Sequence, residues 1–201
     1  MRASRRAAPV QRPTQVRGQA VRAALHRAYH AGMLRNIEIK ARSRKPARQR
    51  DIAARLSDLP ARSTEQTDTY FNVPRGRLKL RESAESSQLI YYERRDQAGP
   101  KRSEYLPVPV HDPASLRRLL AAAFGIRGVV RKSRRLFQVG HTRIHLDEVL
   151  DLGSFIELEV VLSPEEPDEQ GRAVAADLMK QLEIDPQDLI DGSYIDLLTQ
   201  T

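Results

Sequence analysis

A chain of 201 residues is long enough for one domain with a hydrophobic core and too short for two large ones. It has no cysteine, which excludes disulfides and thiolate metal sites, and no apolar run is long enough for a membrane-spanning helix. The formal net charge of +8 is concentrated near the amino end: residues 1–35 hold eight arginines and no acidic residue, and the remainder is formally neutral.

The leader, residues 1–32, is rich in Arg, Ala, Pro and Gln and has little apolar periodicity. It is typical of a disordered tail, or of a mis-assigned translation start with Met33 as the true first residue. An acid-free, Arg-rich segment also resembles an organellar transit peptide, and an arm that binds nucleic acid or polyphosphate is a third interpretation. We expect one folded domain over residues 33–201. Its lack of cysteine suits the cytoplasm, with import into an organelle through the leader as the alternative.

Apolar and polar residues alternate with a period of two in eight segments, which predicts eight β-strands. In chain order these segments cover residues 37–42, 67–73, 77–82, 88–95, 101–108, 127–137, 142–148 and 153–162. Apolar residues at helical spacing predict helices over residues 46–59, 113–124, 163–182 and from 185 onward. The strands follow one another through short connections. We therefore expect an α+β fold with an antiparallel sheet rather than a doubly wound parallel one.

Several predicted strands carry charge on one face only. In the segment 77–82 the alternation puts Arg77, Lys79 and Arg81 opposite two leucines, and later strands place cations or carboxylates at alternate positions in the same way. In an ordinary half-exposed sheet such a charged face points to solvent. For any one strand taken alone, this solvent-facing interpretation is favoured. The repetition favours a sheet closed into a barrel, with an apolar outer face under helices and the charged face inside.

The charges on these faces indicate a ligand. Two cations about 4 Å apart repel each other by roughly 4 kcal/mol at a surface-like dielectric constant, so a cluster of cations inside a barrel requires a polyanion to neutralise it. The carboxylates of Glu38, Glu157 and Glu159 offer oxygen ligands of the type that Mg²⁺ and Mn²⁺ prefer.

The segment Asn36-Ile37-Glu38-Ile39-Lys40 resembles the E-x-E-x-K signature of the CYTH domain family, the triphosphate tunnel metalloenzymes. That family includes class IV adenylate cyclases, thiamine triphosphatases and inorganic triphosphatases. Further segments resemble the family's remaining motifs in the family's order: Leu78–Glu82, Ile90–Arg94, Lys101–Tyr105, Lys132–Arg134, Arg143–Asp147, Phe155–Glu159, and Ser193-Tyr194 with Leu197-Leu198. The resemblance covers residues 34–198.

The resemblance implies a closed eight-stranded antiparallel β-barrel, a triphosphate tunnel with helices packed outside. It implies that Lys40, Glu38 and Glu159 are catalytic. The cations that would bind the triphosphate are Lys40, Lys79, Arg81, Arg94, Lys101, Lys132, Arg134 and Arg143. The carboxylates that would hold the metal, Mg²⁺ or Mn²⁺, are Glu38, Asp147, Glu157 and Glu159. Asn36 departs from the signature, because it stands where the first Glu belongs and its amide oxygen brings no charge to a metal.

We therefore expect a metal-dependent triphosphatase that acts on inorganic tripolyphosphate or on an organic triphosphate, such as a nucleotide or thiamine triphosphate. The first alternative is a class IV-type adenylate cyclase that makes cyclic AMP from ATP, since both reactions use the same cations. The second is a non-catalytic binder of polyphosphate, nucleotide or RNA, which Asn36 supports. The expected partner is a triphosphate-bearing small molecule. A membrane or a nucleic acid is not expected, and a homodimer stays open.

Other chemistries have less support in the sequence. His141 and His145 lie four residues apart on a predicted strand, but no third nitrogen or sulfur ligand accompanies them, so hydrogen-bonding histidines are expected rather than a zinc site. No nucleophile-elbow sequence and no Walker or Rossmann glycine pattern occurs. Of Tyr91 and Tyr92, one is expected to pack outward and the other to line the barrel.

Overall fold

The computed structural model describes residues 32–199. The predicted leader lies outside these residues apart from Gly32, so its role stays a prediction. The strands are β1 (Leu34–Arg42), β2 (Arg62–Phe71), β3 (Arg77–Glu82), β4 (Ser87–Arg94), β5 (Lys101–Pro109), β6 (Ile126–Val139), β7 (Thr142–Val149) and β8 (Gly153–Leu162). The helices are α1 (Pro46–Leu56), α2 (Pro113–Phe124), α3 (Asp168–Gln181) and α4 (Tyr194–Leu198), with a 3₁₀ turn at Pro186–Asp188.

The eight strands close into one antiparallel barrel in the order β1-β5-β4-β3-β2-β6-β7-β8, and β8 pairs again with β1. Closure gives every strand two hydrogen-bonded neighbours, so the sheet has no exposed edge. The helices lie on the outside, apart from α4. The predicted α+β fold with a closed eight-stranded barrel is confirmed.

The hydrophobic core lies between the outer face of the barrel and the helices. Ile39, Ile144, Ile156 and Leu158 are at most 1% exposed and pack with apolar side chains of α1 and α3. Burying side chains of this size stabilises a fold by about 1.5–3 kcal/mol each. This outward-facing core leaves the inner positions of the same strands free for charged residues.

One glycine allows α3 to lie close to the barrel. A Cβ atom at Gly171 would come within 2.7 Å of Ile37 Cγ1 and 3.0 Å of Leu162 Cδ2. Contacts this short exceed normal packing, so a larger residue would push α3 away from β1 and β8. On the other side of the barrel Leu120 of α2 packs against Phe71 and Leu80.

Some predicted helix ends differ from the observed ones. The spacing of Ser163 and Glu166 predicts a capping box there, and Glu166 does accept a hydrogen bond from the Ser163 amide at 2.9 Å. The helix nevertheless begins at Asp168. The reason is Pro167, because a proline disfavours helical backbone in the residue before it. The predicted helix from Pro46 ends at Leu56, three residues early.

The carboxyl-terminal segment occupies one end of the barrel. The amide of Ile190 donates to the carbonyl of Lys40 at 2.8 Å, and Tyr194 and Ile195 pack with inward-facing residues of the strands such as Phe155 and Val130. A Cβ atom at Gly128 would lie 2.5 Å from Ile195 Cδ1, so this glycine makes room for α4. The interior is therefore open toward the opposite end. No helix in residues 32–199 is long and apolar enough to cross a membrane.

Candidate functional site

A cavity of about 440 Å³ occupies the barrel interior between α4 and the open end. Its walls include seven of the eight cations predicted from the sequence to bind phosphate: Lys40, Lys79, Arg81, Arg94, Lys132, Arg134 and Arg143. Its walls also include three of the four predicted metal-binding carboxylates, Glu38, Glu157 and Glu159. The strand alternation explains this gathering, since inner positions recur every second residue along each strand.

A buried carboxylate that the sequence analysis missed anchors three of these cations. Asp68, on the inner face of β2, is 1% exposed. It accepts hydrogen bonds from Arg81 at 2.7 and 2.8 Å, from Lys79 at 3.0 Å and from Lys132 at 3.3 Å. Burial alone would raise the pKa of Asp68, but the charges of Arg81, Lys132 and Lys79 hold that pKa well below its usual value. The sequence carries no clear signal for Asp68, because its opposition to three cations arises only when the barrel closes.

Asp147 on β7 is, like Asp68, a buried carboxylate that binds a cation of the cavity wall. It accepts two hydrogen bonds from Arg134, at 2.7 and 2.5 Å, and one from the hydroxyl of Tyr194 at 3.0 Å. Although burial opposes it, the charge of Arg134 holds the pKa of Asp147 far below its usual value. Asp147 is 1% exposed and does not line the cavity. The structure thus places this predicted metal ligand behind the cations.

Each of the three predicted carboxylates on the cavity wall is paired with a cation. Glu157 forms ion pairs with Lys40 and, at 2.6 Å, with Arg134, and Glu159 pairs with Arg143 at 2.8 Å. Glu38 forms a short ion pair with Arg94. The strand register explains the grouping, because Glu159 lies opposite Glu38 on β1 and opposite Arg143 on β7. A phosphate chain that attracts the arginines would free these acids for a metal.

His145 lies among the acids and is 4% exposed. Its Nδ1 is 3.4 Å from Glu157 Oε2 and 3.8 Å from Glu159 Oε1. Within the described residues these three side chains can bring ligand atoms within 4.8 Å of one another, close enough to hold one metal ion. Burial, aided by the charges of Arg134 and Arg143, holds the pKa of His145 well below its usual value, so the imidazole is neutral. His141 is exposed in the turn before β7 and takes no part.

All three predicted lysines that line the cavity have lowered pKa values. Burial, with the charge of Arg134, lowers the pKa of Lys132 to about 7. Burial, with the charge of Arg81, lowers the pKa of Lys79 to about 8. Burial likewise holds the pKa of Lys40 well below its usual value, and its ammonium lies 3.6 Å from the centroid of the Tyr194 ring. A bound anion would favour the charged form of all three.

Lys101, the eighth predicted phosphate-binding cation, lies outside the cavity wall. Its ammonium donates to the carbonyl oxygens of Gln97, Ile190 and Asp191 at 2.8–3.0 Å. These contacts tie the β4–β5 loop and the carboxyl-terminal segment to β5. The structure therefore places Lys101 where it stabilises the closed end of the barrel.

Two amide oxygens on the cavity wall are buried and have no hydrogen-bond partner. They belong to Asn36 on β1 and Gln66 on β2, and both positions lie toward the open end. A buried acceptor without a donor costs about 1–3 kcal/mol, so such groups are expected to meet a ligand.

The two adjacent tyrosines of β4 differ as predicted. Tyr92 lines the cavity, whereas the hydroxyl of Tyr91 donates a hydrogen bond to Glu93 at 2.5 Å.

Known proteins share this architecture. The CYTH domain matches residues 34–194. The PH1012 protein from Pyrococcus horikoshii OT3 has a TM-score of 0.68 at 25% identity, over 81% of this chain and 98% of its own. A candidate adenylate cyclase from Vibrio parahaemolyticus has a TM-score of 0.67 at 17% identity, over 84% of this chain and 99% of its own.

HpAC1 from Hippeastrum, a candidate adenylyl cyclase with a dominant triphosphatase activity, has a TM-score of 0.56 at 15% identity, over 82% of this chain and 95% of its own. No curated protein matches the chain. At such identities the Vibrio and Hippeastrum structures support the fold alone. The CYTH domain, however, spans the whole barrel and reaches Tyr194 in α4, so this chain belongs to the CYTH domain family.

Proposed function

We propose that this protein is a metal-dependent triphosphatase. The observation that carries the proposal is the convergence of eight cations, including Arg62, and four carboxylates, including Glu85, on one cavity that is closed at its far end. With the buried Asp68 and Asp147 included, six carboxylates oppose eight cations. The remaining positive charge suits a phosphate chain that brings a divalent cation with it.

The wall cations bind and orient the phosphate chain. Arg81 and Arg134 are each held by a bidentate carboxylate on one side, so their remaining N–H groups are preorganised toward the cavity. Lys40, next to the closed end, is placed to meet the phosphate that enters deepest. Preplaced donors of this kind stabilise the charge that spreads over phosphoryl oxygens in the transition state.

The acids have two roles in this proposal. Glu157 and Glu159, with His145 beside them, are the donor set that fits a divalent cation, Mg²⁺ or Mn²⁺. Such an ion, when bound, polarises a phosphoryl group and makes water more acidic. Glu38 accepts the proton of the attacking water once its partner Arg94 turns to the phosphate. We propose Lys40, Glu38 and Glu159 as the catalytic residues.

The unpartnered oxygens of Asn36 and Gln66 favour an organic triphosphate as substrate. Phosphate oxygens are themselves acceptors, so tripolyphosphate offers these amide oxygens no donor, whereas a sugar hydroxyl or an amine does. The open end of the cavity would receive this organic group, and the phosphates would lie at the closed end. Formation of cyclic AMP from ATP is the second candidate function, because two of the similar structures named above are candidate cyclases.

The test incubates the purified full chain and Mg²⁺ or Mn²⁺ with ATP, thiamine triphosphate or tripolyphosphate. We expect release of orthophosphate, fastest from an organic triphosphate. Cyclic AMP with pyrophosphate would establish the cyclase instead, and tight binding without any product would show a non-catalytic binder. Lys180→Ala, which removes an exposed cation of α3, is the control for Lys40→Ala.

A further inference from the structure

We propose that His145 is a nitrogen ligand of the divalent cation in the cavity, together with Glu157 and Glu159, and that the site therefore prefers Mn²⁺ to Mg²⁺. The inference rests on the proposed function, since it concerns the same cavity. It differs from the all-carboxylate set that the family resemblance implies, because one ligand is an imidazole.

The distances fit a shared cation better than a hydrogen bond. His145 Nδ1 lies 3.4 Å from Glu157 Oε2 and 3.8 Å from Glu159 Oε1. Good N–H···O hydrogen bonds are about 2.7–3.2 Å long, so both separations are too long for a well-formed one. Two ligand atoms that each lie about 2.1 Å from one cation, with an angle of about 90° at the cation, are about 3.0 Å apart. Small side-chain shifts from the observed positions can reach that separation.

The strand register brings the imidazole to the two carboxylates. His145 on β7 lies opposite Glu157 on β8, and Glu159 is two residues further along the same face of β8. The ring is 4% exposed, so a cation held there is shielded from water. The tautomer with its proton on Nε2 leaves the Nδ1 lone pair available to a cation between the ring and the two carboxylates.

The ligand type sets the metal preference. Mg²⁺ binds oxygen ligands and retains its waters. A nitrogen ligand adds affinity for the first-row transition ions, of which Mn²⁺ is the weakest binder, and adds little for Mg²⁺. Exchanging one carboxylate of an oxygen site for imidazole therefore weakens Mg²⁺ binding more than Mn²⁺ binding. The expected result is a wild-type protein that binds Mn²⁺ more tightly than Mg²⁺, by a margin that His145→Gln reduces.

The test measures the coordination of Mn²⁺ directly by pulsed electron paramagnetic resonance on the full chain without substrate. We expect the modulation of a directly bound ¹⁴N nucleus, which ¹⁵N-histidine labelling of the wild type should replace by a ¹⁵N coupling. His145→Gln should abolish the coupling and weaken Mn²⁺ binding about tenfold or more in a titration, with a smaller change for Mg²⁺. His141→Ala, at an exposed turn, should change neither.

The outcomes separate this inference from the proposed function. Bound Mn²⁺ without nitrogen coupling in the wild type, or coupling that persists in His145→Gln, would overturn the role of His145 while leaving triphosphate hydrolysis untouched. Nitrogen coupling in a protein that hydrolyses no triphosphate would support the ligand and refute the hydrolase. Labelling of the wild type shows that a histidine is the ligand. Loss of the coupling in His145→Gln, or in His145→Asn if the first variant does not fold, assigns it to one of the five histidines.

Discussion

Lys132 lies between two buried carboxylates, with its ammonium nitrogen 3.3 Å from Asp68 Oδ2 and 3.9 Å from Asp147 Oδ2. All three residues are at most 4% exposed. The two acids thus link the cations of β3 and β6 into one charged layer behind the cavity surface. The layer keeps like charges together in the free protein, where each would otherwise repel its neighbours.

Asp68→Asn should destabilise the free protein by about 3 kcal/mol, because it leaves Arg81, Lys79 and Lys132 without their shared counter-charge. Saturating tripolyphosphate should recover part of that loss, since the ligand supplies the missing negative charge. Chemical denaturation with and without ligand measures both effects. Asp177→Asn, on the exposed side of α3, is the control. An equal loss in the presence of ligand would contradict a positioning role for Asp68.

Lys40→Ala should abolish turnover and leave the fold intact. Lys40 lines the cavity, pairs with Glu157 and lies over the ring of Tyr194 in α4, so its loss removes a charge that would meet the deepest phosphate. Phosphate release by the variant, compared with Lys180→Ala, measures the effect, and circular dichroism reports on folding. Loss of folding in Lys40→Ala would indicate that the ion pair with Glu157 is structural.

Triphosphate affinity should fall as the pH rises above about 8, the pKa of Lys79. The free ammonium loses its proton through that pH, whereas a bound anion favours the charged form, so binding takes up a proton and weakens at higher pH. Lys79→Arg stays charged throughout and should bind with a flatter pH profile. Calorimetry at pH 7 and pH 9 measures the triphosphate affinity of both proteins. Protonation of the ligand itself affects both proteins equally, so it cancels in the comparison. Identical profiles would refute the role of Lys79.

Gly128→Ala should destabilise the closed end of the barrel by about 1 kcal/mol or more, because its Cβ would lie 2.5 Å from Ile195 Cδ1. Ile195→Val deletes that methyl group and should reduce the cost of the alanine. The double-mutant cycle, measured by thermal or chemical unfolding, should therefore show a favourable coupling between the two changes. Additive effects would mean that α4 does not depend on this contact.

The sequence predicted most of the charged residues that line the cavity, and the reason is local. Alternation along a strand is a property of neighbouring residues, so the shared face of Lys79 and Arg81, or of Glu157 and Glu159, can be inferred without the fold. The resemblance to the family's motifs then predicted that those faces point into the barrel. Asp68 escaped notice because it is the single acid on the inner face of β2 and so has no pattern of its own.

The amino-acid sequence by itself determined the strands, the charged faces and the family. Tertiary structure alone decided how the charges pair, because closure of the barrel sets the distances between strands that are far apart in the chain, and electrostatic interactions depend on those distances. It directed Lys101 to the carbonyls of Ile190 and Asp191, and it placed Asp147 behind the cavity against Arg134. It also brought His145 to the two glutamates of β8, which no local pattern could show.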